Sequence, residues 1–133
     1  MNVRPARIED LPQLYRIAQS RCHDYDQWCP EPEFEVTVAD DNGTVVAFLL
    51  TRPARSNLIL CDVFECEYVD GKPTKRGLRG VSLLEAWLRD TLKQRKQQAF
   101  SIVGLDNLPH MQALERRGWT KRANIYGSNY TSG

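Results

Sequence analysis

The chain has 133 residues, 41% of them apolar and 26% charged, with a formal net charge of +1 at pH 7. That length suits one domain with enough chain to bury a core. The composition excludes a disordered, collagen-like or disulfide-stapled class. With no run of 18 apolar residues there is no candidate for a membrane-spanning helix, and because MNVRPARIEDL carries no apolar leader core, a cytoplasmic location is expected.

Val3 falls in a short first strand. IEDLPQLYRIAQ then sets Ile8, Leu11, Leu14, Tyr15 and Ala18 at helical spacing. Asp10 is placed to cap that helix, with Pro12 in its first turn, where a missing N–H costs little. Residues 21–32, RCHDYDQWCPEP, lack periodicity and predict an irregular segment. FEVTVADD alternates, with Phe34, Val36 and Val38 on one face and Glu35 and Thr37 on the other. Asp41-Asn42-Gly43 is a hairpin turn signal, and the return strand TVVAFLLT is apolar on both faces, as a central strand is.

In LILCDVFECEYV the alternation breaks. Leu58, Leu60, Phe64 and Tyr68 share one parity with Asp62 intruding, while Glu65 and Glu67 follow Ile59 and Val63 on the other. This predicts a bulge, or a strand leaving its neighbour. Asp62, if buried, is a functional candidate; Glu65 and Glu67 suit the exposed end of a strand. KRGLRGVSLLEAW is a basic, glycine-spaced loop entering a helix whose inner stripe is Val81, Leu84, Leu88 and Leu92. QAFSIVGL reads as a strand. NLPHMQALERRGW reads as a helix closed by Gly118, with Arg116 and Arg117 suited to its C-terminal end. The tail from Trp119 to Tyr130 is weakly strand-like. The order β-α-β-β-β-α-β-α-β defines an α/β fold with a mixed, mostly antiparallel sheet, one parallel crossover and helices on both faces, in a single domain over residues 1–133.

Cys22, Cys29, Cys61 and Cys66 are spaced by seven and five, and His23 and His110 complete no ligand set, so four reduced thiols and no metal site are expected. Residues 1–70 carry 6 Lys or Arg against 13 Asp or Glu, and residues 71–133 carry 12 against 4. Such a split can serve an anionic ligand on one side and a cationic one on the other, or can dissolve into solvated pairs. Lys72, Lys75, Arg76, Arg79, Lys93, Arg95 and Lys96 are basic enough for nucleic acid, but no reading motif accompanies them, so nucleic acid is not the expected partner.

VRPARIEDLPQLYRIA, DDNGTVVAFLL, KRGLRGVSLLEAW and NLPHMQALERRGW, in that order, resemble the GNAT superfamily of acyl-CoA N-acyltransferases over nearly the whole chain. They correspond to its opening strand and helix, its D-x-N-G-x-x-V-G-F hairpin, its pyrophosphate loop and helix, and its closing N-x-x-A-x-x-x-Y-x-x-x-G-F helix. In length and in which motifs have decayed, the chain is similar to short GNAT-like proteins of tailed phages, which would make it phage- or host-cell-associated.

The resemblance implies acetyl-CoA as acyl donor and an amine of a small molecule or protein as acceptor. It implies a pyrophosphate site at Lys75, Arg76, Gly77, Arg79 and Gly80, where helix N–H groups meet phosphate. It further implies that Val63 sits on the strand that hydrogen-bonds the pantetheine arm, and that Asn107 lies on the cofactor side. Glu65 would be the general base, and Tyr126 or Tyr130 of the tail would stand in for the family's tyrosine as proton donor to the thiolate, Tyr126 being the one taken. Two positions depart from the family pattern. Against R/Q-x-x-G-x-G/A, Leu78 stands at the first glycine, and the register that uses Gly77 puts Arg79 at the second. Leu114 stands at the family's tyrosine. Those departures suit an alternative, a catalytically inactive GNAT-fold module that acts through a protein partner.

Overall fold

The computed structural model describes residues 1–21, 33–54, 58–102 and 108–121. They fall in two compact units, Met1–Ile102 and Val103–Gly133. The irregular segment expected over 21–32 and the last strand expected towards Tyr130 lie outside the described residues, apart from their first positions.

The first unit runs β1 (Asn2–Pro5), α1 (Leu11–Arg21), β2 (Glu35–Asp41), β3 (Thr44–Pro53), β4 (Leu58–Cys66), β5 (Tyr68–Val69), β6 (Lys72–Pro73), α2 (Lys75–Arg95) and β7 (Gln98–Phe100). Its main sheet has the order β1-β2-β3-β4-β7; the first three pairs are antiparallel and β4–β7 is parallel. This is the expected mixed sheet with one crossover. At the β2–β3 turn Asn42 and Gly43 both take positive φ, 52° and 92°. That is the type I′ geometry whose twist matches the flanking strands, and the Gly43 N–H is tied to Asp40 Oδ1 at 2.6 Å.

β3 is the centre. Every residue from Val45 to Leu50 is buried. On one face Leu14 and Ile17 of α1 pack with Val38, Val45, Phe48 and Leu50, with Ala6, Phe34 and Val36 at the margin. On the other face α2 lies so close that Gly80 abuts Ala39, Val46 and Ala47. The helices therefore cover both faces. Each fully buried large apolar side chain contributes about 1.5–3 kcal/mol. Of the stripe read from sequence, Val81, Leu84 and Leu88 are buried, joined by Glu85, while Leu92 is half-buried.

Two readings near these elements are corrected. Asp10 does not cap α1: it ends a 3-10 turn, Ile8–Asp10, that runs straight into the helix. Its carboxylate instead accepts the Arg7 N–H at 2.7 Å and forks with the Arg4 guanidinium at 2.7 and 2.9 Å. That guanidinium holds the Asp10 carboxyl below its usual range against the cost of burial. The second concerns strand length. The pattern QAFSIVGL implies a longer strand, yet β7 stops at Phe100, with Ser101 and Ile102 outside any strand.

The break in alternation around Asp62 is a bulge. Leu50 pairs with Val63 and Thr51 with Cys61, so Asp62 is the extra residue. A second bulge lies between β2 and β3, where Ala39 pairs with Ala47 and Asp40 with Val45, leaving Val46 over. Cys61 and Cys66 are buried free thiols, and burial pushes the Cys61 thiol up to about 12.

The second unit holds α3 (Leu108–Arg116). Gly118, at φ 88°, ends it in a Schellman motif. The Trp119 N–H reaches the Leu114 carbonyl and the Gly118 N–H the Glu115 carbonyl, both at 3.0 Å.

Candidate functional site

The candidate site is built where β4 ends. Its parallel ladder with β7 covers Leu58↔Gln98 to Leu60↔Phe100 and, among the described residues, goes no further. β4 itself continues to Cys66 along β3. The chain then makes a tight hairpin: Asp70 and Gly71 take positive φ, 53° and 76°, and Tyr68–Val69 pairs back on Lys72–Pro73. This returns Thr74 to Glu67, so that the Thr74 N–H meets the Glu67 carbonyl at 3.2 Å.

Thr74 determines where the next helix begins. Its Oγ1 accepts the Gly77 N–H at 3.0 Å, a side-chain cap that starts α2 at Lys75. The stretch read as a loop from Lys75 to Gly80 is therefore the first turns of a helix. The physical cause is this cap, together with the turn before it. Lys75, Arg76, Gly77, Arg79 and Gly80 are brought together on those turns. Gly77 and Gly80 are buried there, Lys75 and Arg79 are exposed, and Arg76 is half-buried.

Both glycines also have a packing reason. A Cβ on Gly77 would stand 2.9 Å from Thr74 Oγ1 and 3.2 Å from Cys66 Cβ. A Cβ on Gly80 would meet Ala47 Cβ at 3.0 Å and Ala39 Cβ and Val46 Cγ2 at 3.1 Å. The helix approaches the sheet this closely because neither residue has a side chain.

Glu67 is the centre of the site's electrostatics. It is 3% exposed, not the exposed strand end that its alternation suggested. Thr74 Oγ1 donates to its Oε1 at 2.8 Å. Arg76 forks onto it, Nε to Oε1 and Nη2 to Oε2, and Arg16 Nη1 of α1 reaches Oε2 at 3.2 Å. Burial pushes the Glu67 carboxyl up, but the donors from Arg76, Thr74 and Arg16 outweigh it and hold the group below its usual range. The Arg76 guanidinium is raised in turn by its bond to Glu67. A carboxylate so fully engaged organises its neighbours. It is a poor proton acceptor.

The same node collects the backbone groups that the Val46 bulge releases from the ladder. Val45 N–H donates to Gln13 Oε1 at 2.8 Å, Arg16 Nη2 donates to the Val45 carbonyl at 2.8 Å, and Glu67 N–H donates to the Val46 carbonyl at 3.0 Å. Buried backbone groups need such partners, and here α1 is tied to the strand by supplying two of them, Gln13 and Arg16.

Glu65 is half-buried and pairs with Phe48 across the ladder, which puts it on the α1 face. Val63 lies on the same strand, opposite Leu50. Asn107 and Tyr126 lie outside the described residues. Leu78, at the first-glycine position, is 45% exposed. Among the described residues no group of three His, Cys, Asp or Glu gathers as a metal site, and no helix is long and apolar enough to cross a membrane.

Sequence reasoning passed over Thr74, Arg16 and the role of Glu67. The signal for the first was present: Asp70-Gly71 is a hairpin dipeptide followed by a capping threonine. Nothing in the sequence ties Arg16 to Glu67, since that contact spans 51 positions.

A mixed sheet with α1 and α2 on opposite faces, a parallel β4–β7 pair that ends early and a helix starting at the end of β4 is the fold of the GNAT acyltransferases. Solved structures match it over nearly the full chain. A ribosomal-protein-alanine N-acetyltransferase from Brucella melitensis biovar Abortus 2308 superposes with a TM-score of 0.71 at 11% identity, covering 97% of this chain and 98% of that one. An aminoglycoside acetyltransferase from an uncultured soil metagenomic sample, solved with sisomicin, gives 0.71 at 15%, covering 99% and 96%. A transcriptional regulator from Bacillus halodurans C-125 gives 0.71 at 14%, covering 97% and 99%. No family model and no curated protein sequence matches the chain. The chain has the GNAT fold.

Proposed function

We propose that the chain is an acyltransferase that moves an acetyl group from acetyl-CoA to an amine of a small molecule or protein. The observation that carries this reading is the geometry at the end of β4. Among the described residues the strand outruns its parallel neighbour, and the basic start of α2 comes within one tight hairpin. A linear pantetheine arm can hydrogen-bond a strand released in this way, at Val63, while its pyrophosphate meets Lys75, Arg76, Gly77, Arg79 and Gly80 at the helix start. Asn107 would hold the cofactor side.

The reaction forms an N–C bond and breaks the C–S bond of the thioester. The proton lost by the attacking amine passes to Glu65, and the departing thiolate takes one from Tyr126. The acidic first half of the chain suits a cationic acceptor. The test is thiol release from acetyl-CoA with a panel of amines. Glu65→Gln should lower turnover by about 10²-fold or more and alter its dependence on pH. An unchanged rate and pH profile would remove Glu65 from the mechanism.

Two observations favour a second reading, a GNAT-fold module that binds a protein partner without catalysis. Arg76 is already paired with Glu67, and Leu114 cannot donate a proton as the family's tyrosine does. Failure of acetyl-CoA to bind at all would select this reading.

A further inference from the structure

We propose that Glu67 is a positioning residue for Arg76, fixing its guanidinium so that Nη1 is presented to the pyrophosphate of the bound acyl-CoA. This rests on the acyl-CoA reading above.

A guanidinium has five N–H donors in one plane. Glu67 occupies the edge formed by Nε and Nη2. Among the described residues, Nη1 of Arg76 makes no hydrogen bond, and the side chain is 41% exposed against 4% for Glu67. One edge is thus buried and spent while the rest is open.

Glu67 itself cannot turn away. It is held by Thr74 at the helix cap and by Arg16 from α1, and Arg16 is engaged at both ends, on Glu67 and on the Val45 carbonyl. The anchors come from three separate segments. They order a long side chain before any ligand arrives, removing the rotamer entropy that a free arginine loses on binding.

The local charge points the same way. Two guanidinium groups and one carboxylate leave a single net positive charge, and Asp41 also attracts Arg76. Lys75 and Arg79 on the same turns add charge, whereas the contribution of Arg76 depends on a donor held in place. Removing the Glu67 charge should therefore weaken the anion's binding, even though it makes the surroundings more positive.

The experiment is calorimetric titration of the full chain with acetyl-CoA and with its dephospho form, for wild type, Glu67→Gln, Arg76→Ala and the double variant. Glu67→Gln is expected to weaken both ligands about tenfold, the scale of one charge-assisted hydrogen bond. In the Arg76→Ala background the same change should cost less than about twofold, because its effect runs through Arg76. Equal losses in both backgrounds would make Glu67 a merely structural residue, and unchanged or tighter binding would also overturn the inference. A loss confined to acetyl-CoA would move the contact to the 3′-phosphate and overturn it as well. Wild type that binds neither ligand overturns the acyl-CoA reading itself, and this inference with it. Should Glu67→Gln fail to fold, Arg76→Lys serves instead. An ammonium cannot fork Glu67 and face phosphate together, so it should bind at least about fivefold more weakly, and parity with wild type would contradict the proposal.

Discussion

Around Phe48 the molecule is dry: Leu14, Ile17, Val38, Val45 and Leu50 close on one face of β3 with apolar contacts. Just past the end of β4 the buried Glu67 carboxylate gathers Thr74, Arg76 and Arg16 into an ionic node. The first region is non-directional and tolerates rearrangement at the cost of contact area. The second is directional, and each donor named in it has a fixed acceptor. Packing against the sheet holds the helices to its two faces. The node fixes where α2 begins, which is the part a ligand would meet.

The sharpest break of that contrast comes from the dry side. Phe48→Ala should cost about 3–5 kcal/mol, for lost burial and the cavity left behind, read by chemical denaturation. Glu67→Gln should cost less, about 1–2 kcal/mol, because Arg16 and Arg76 are partly exposed and can turn to water.

The node has a pH signature that the apolar face lacks. Glu67 in the node, and Asp10 outside it beside Arg4, are both held below their ordinary values in the folded chain. Each therefore contributes stability that is present above its unfolded pKa, roughly 4, and is lost as pH falls through the lower folded value. Denaturation midpoints should be flat from neutral pH to about 5 and fall below about 4. Glu67→Gln should shrink that fall, leaving the share of Asp10, and Phe48→Ala should leave its shape unchanged. A Glu67→Gln profile parallel to wild type would detach the acid loss from the node.

Gly80→Ala gives the smallest effect. Alanine improves helix propensity by about 1 kcal/mol, but its Cβ would press on two alanine Cβ atoms that cannot move without the strands. Overpacking of about 1–3 kcal/mol should leave the variant slightly less stable. A stabilised variant would show that α2 can rise off the sheet.

The sequence disclosed the apolar side almost completely. The alternation of Phe34, Val36 and Val38, the doubly apolar β3, the Asn42-Gly43 turn and the stripe of α2 are all local patterns, and local patterns survive into the fold. The break at Asp62 announced the bulge for the same reason. The polar end was harder to read. Alternation put Glu67 on an exposed strand end because its burial depends on Arg16 and on a hairpin that brings Thr74 back. The glycines of KRGLRGVS drew attention as a phosphate motif, whereas their spacing also serves close approach to Ala39 and Ala47. Of the expected site, Lys75 to Gly80 come together on one helix start and Glu65 lies on the α1 face. Asn107 and Tyr126 lie outside the described residues.

Whether the purified chain binds acetyl-CoA, measured by calorimetric titration, is the most direct test of the proposed acyltransferase. Micromolar affinity, about −8 kcal/mol, weakened in Arg76→Ala, is the expected result. Absence of binding at millimolar ligand would contradict it and leave a GNAT fold put to another use.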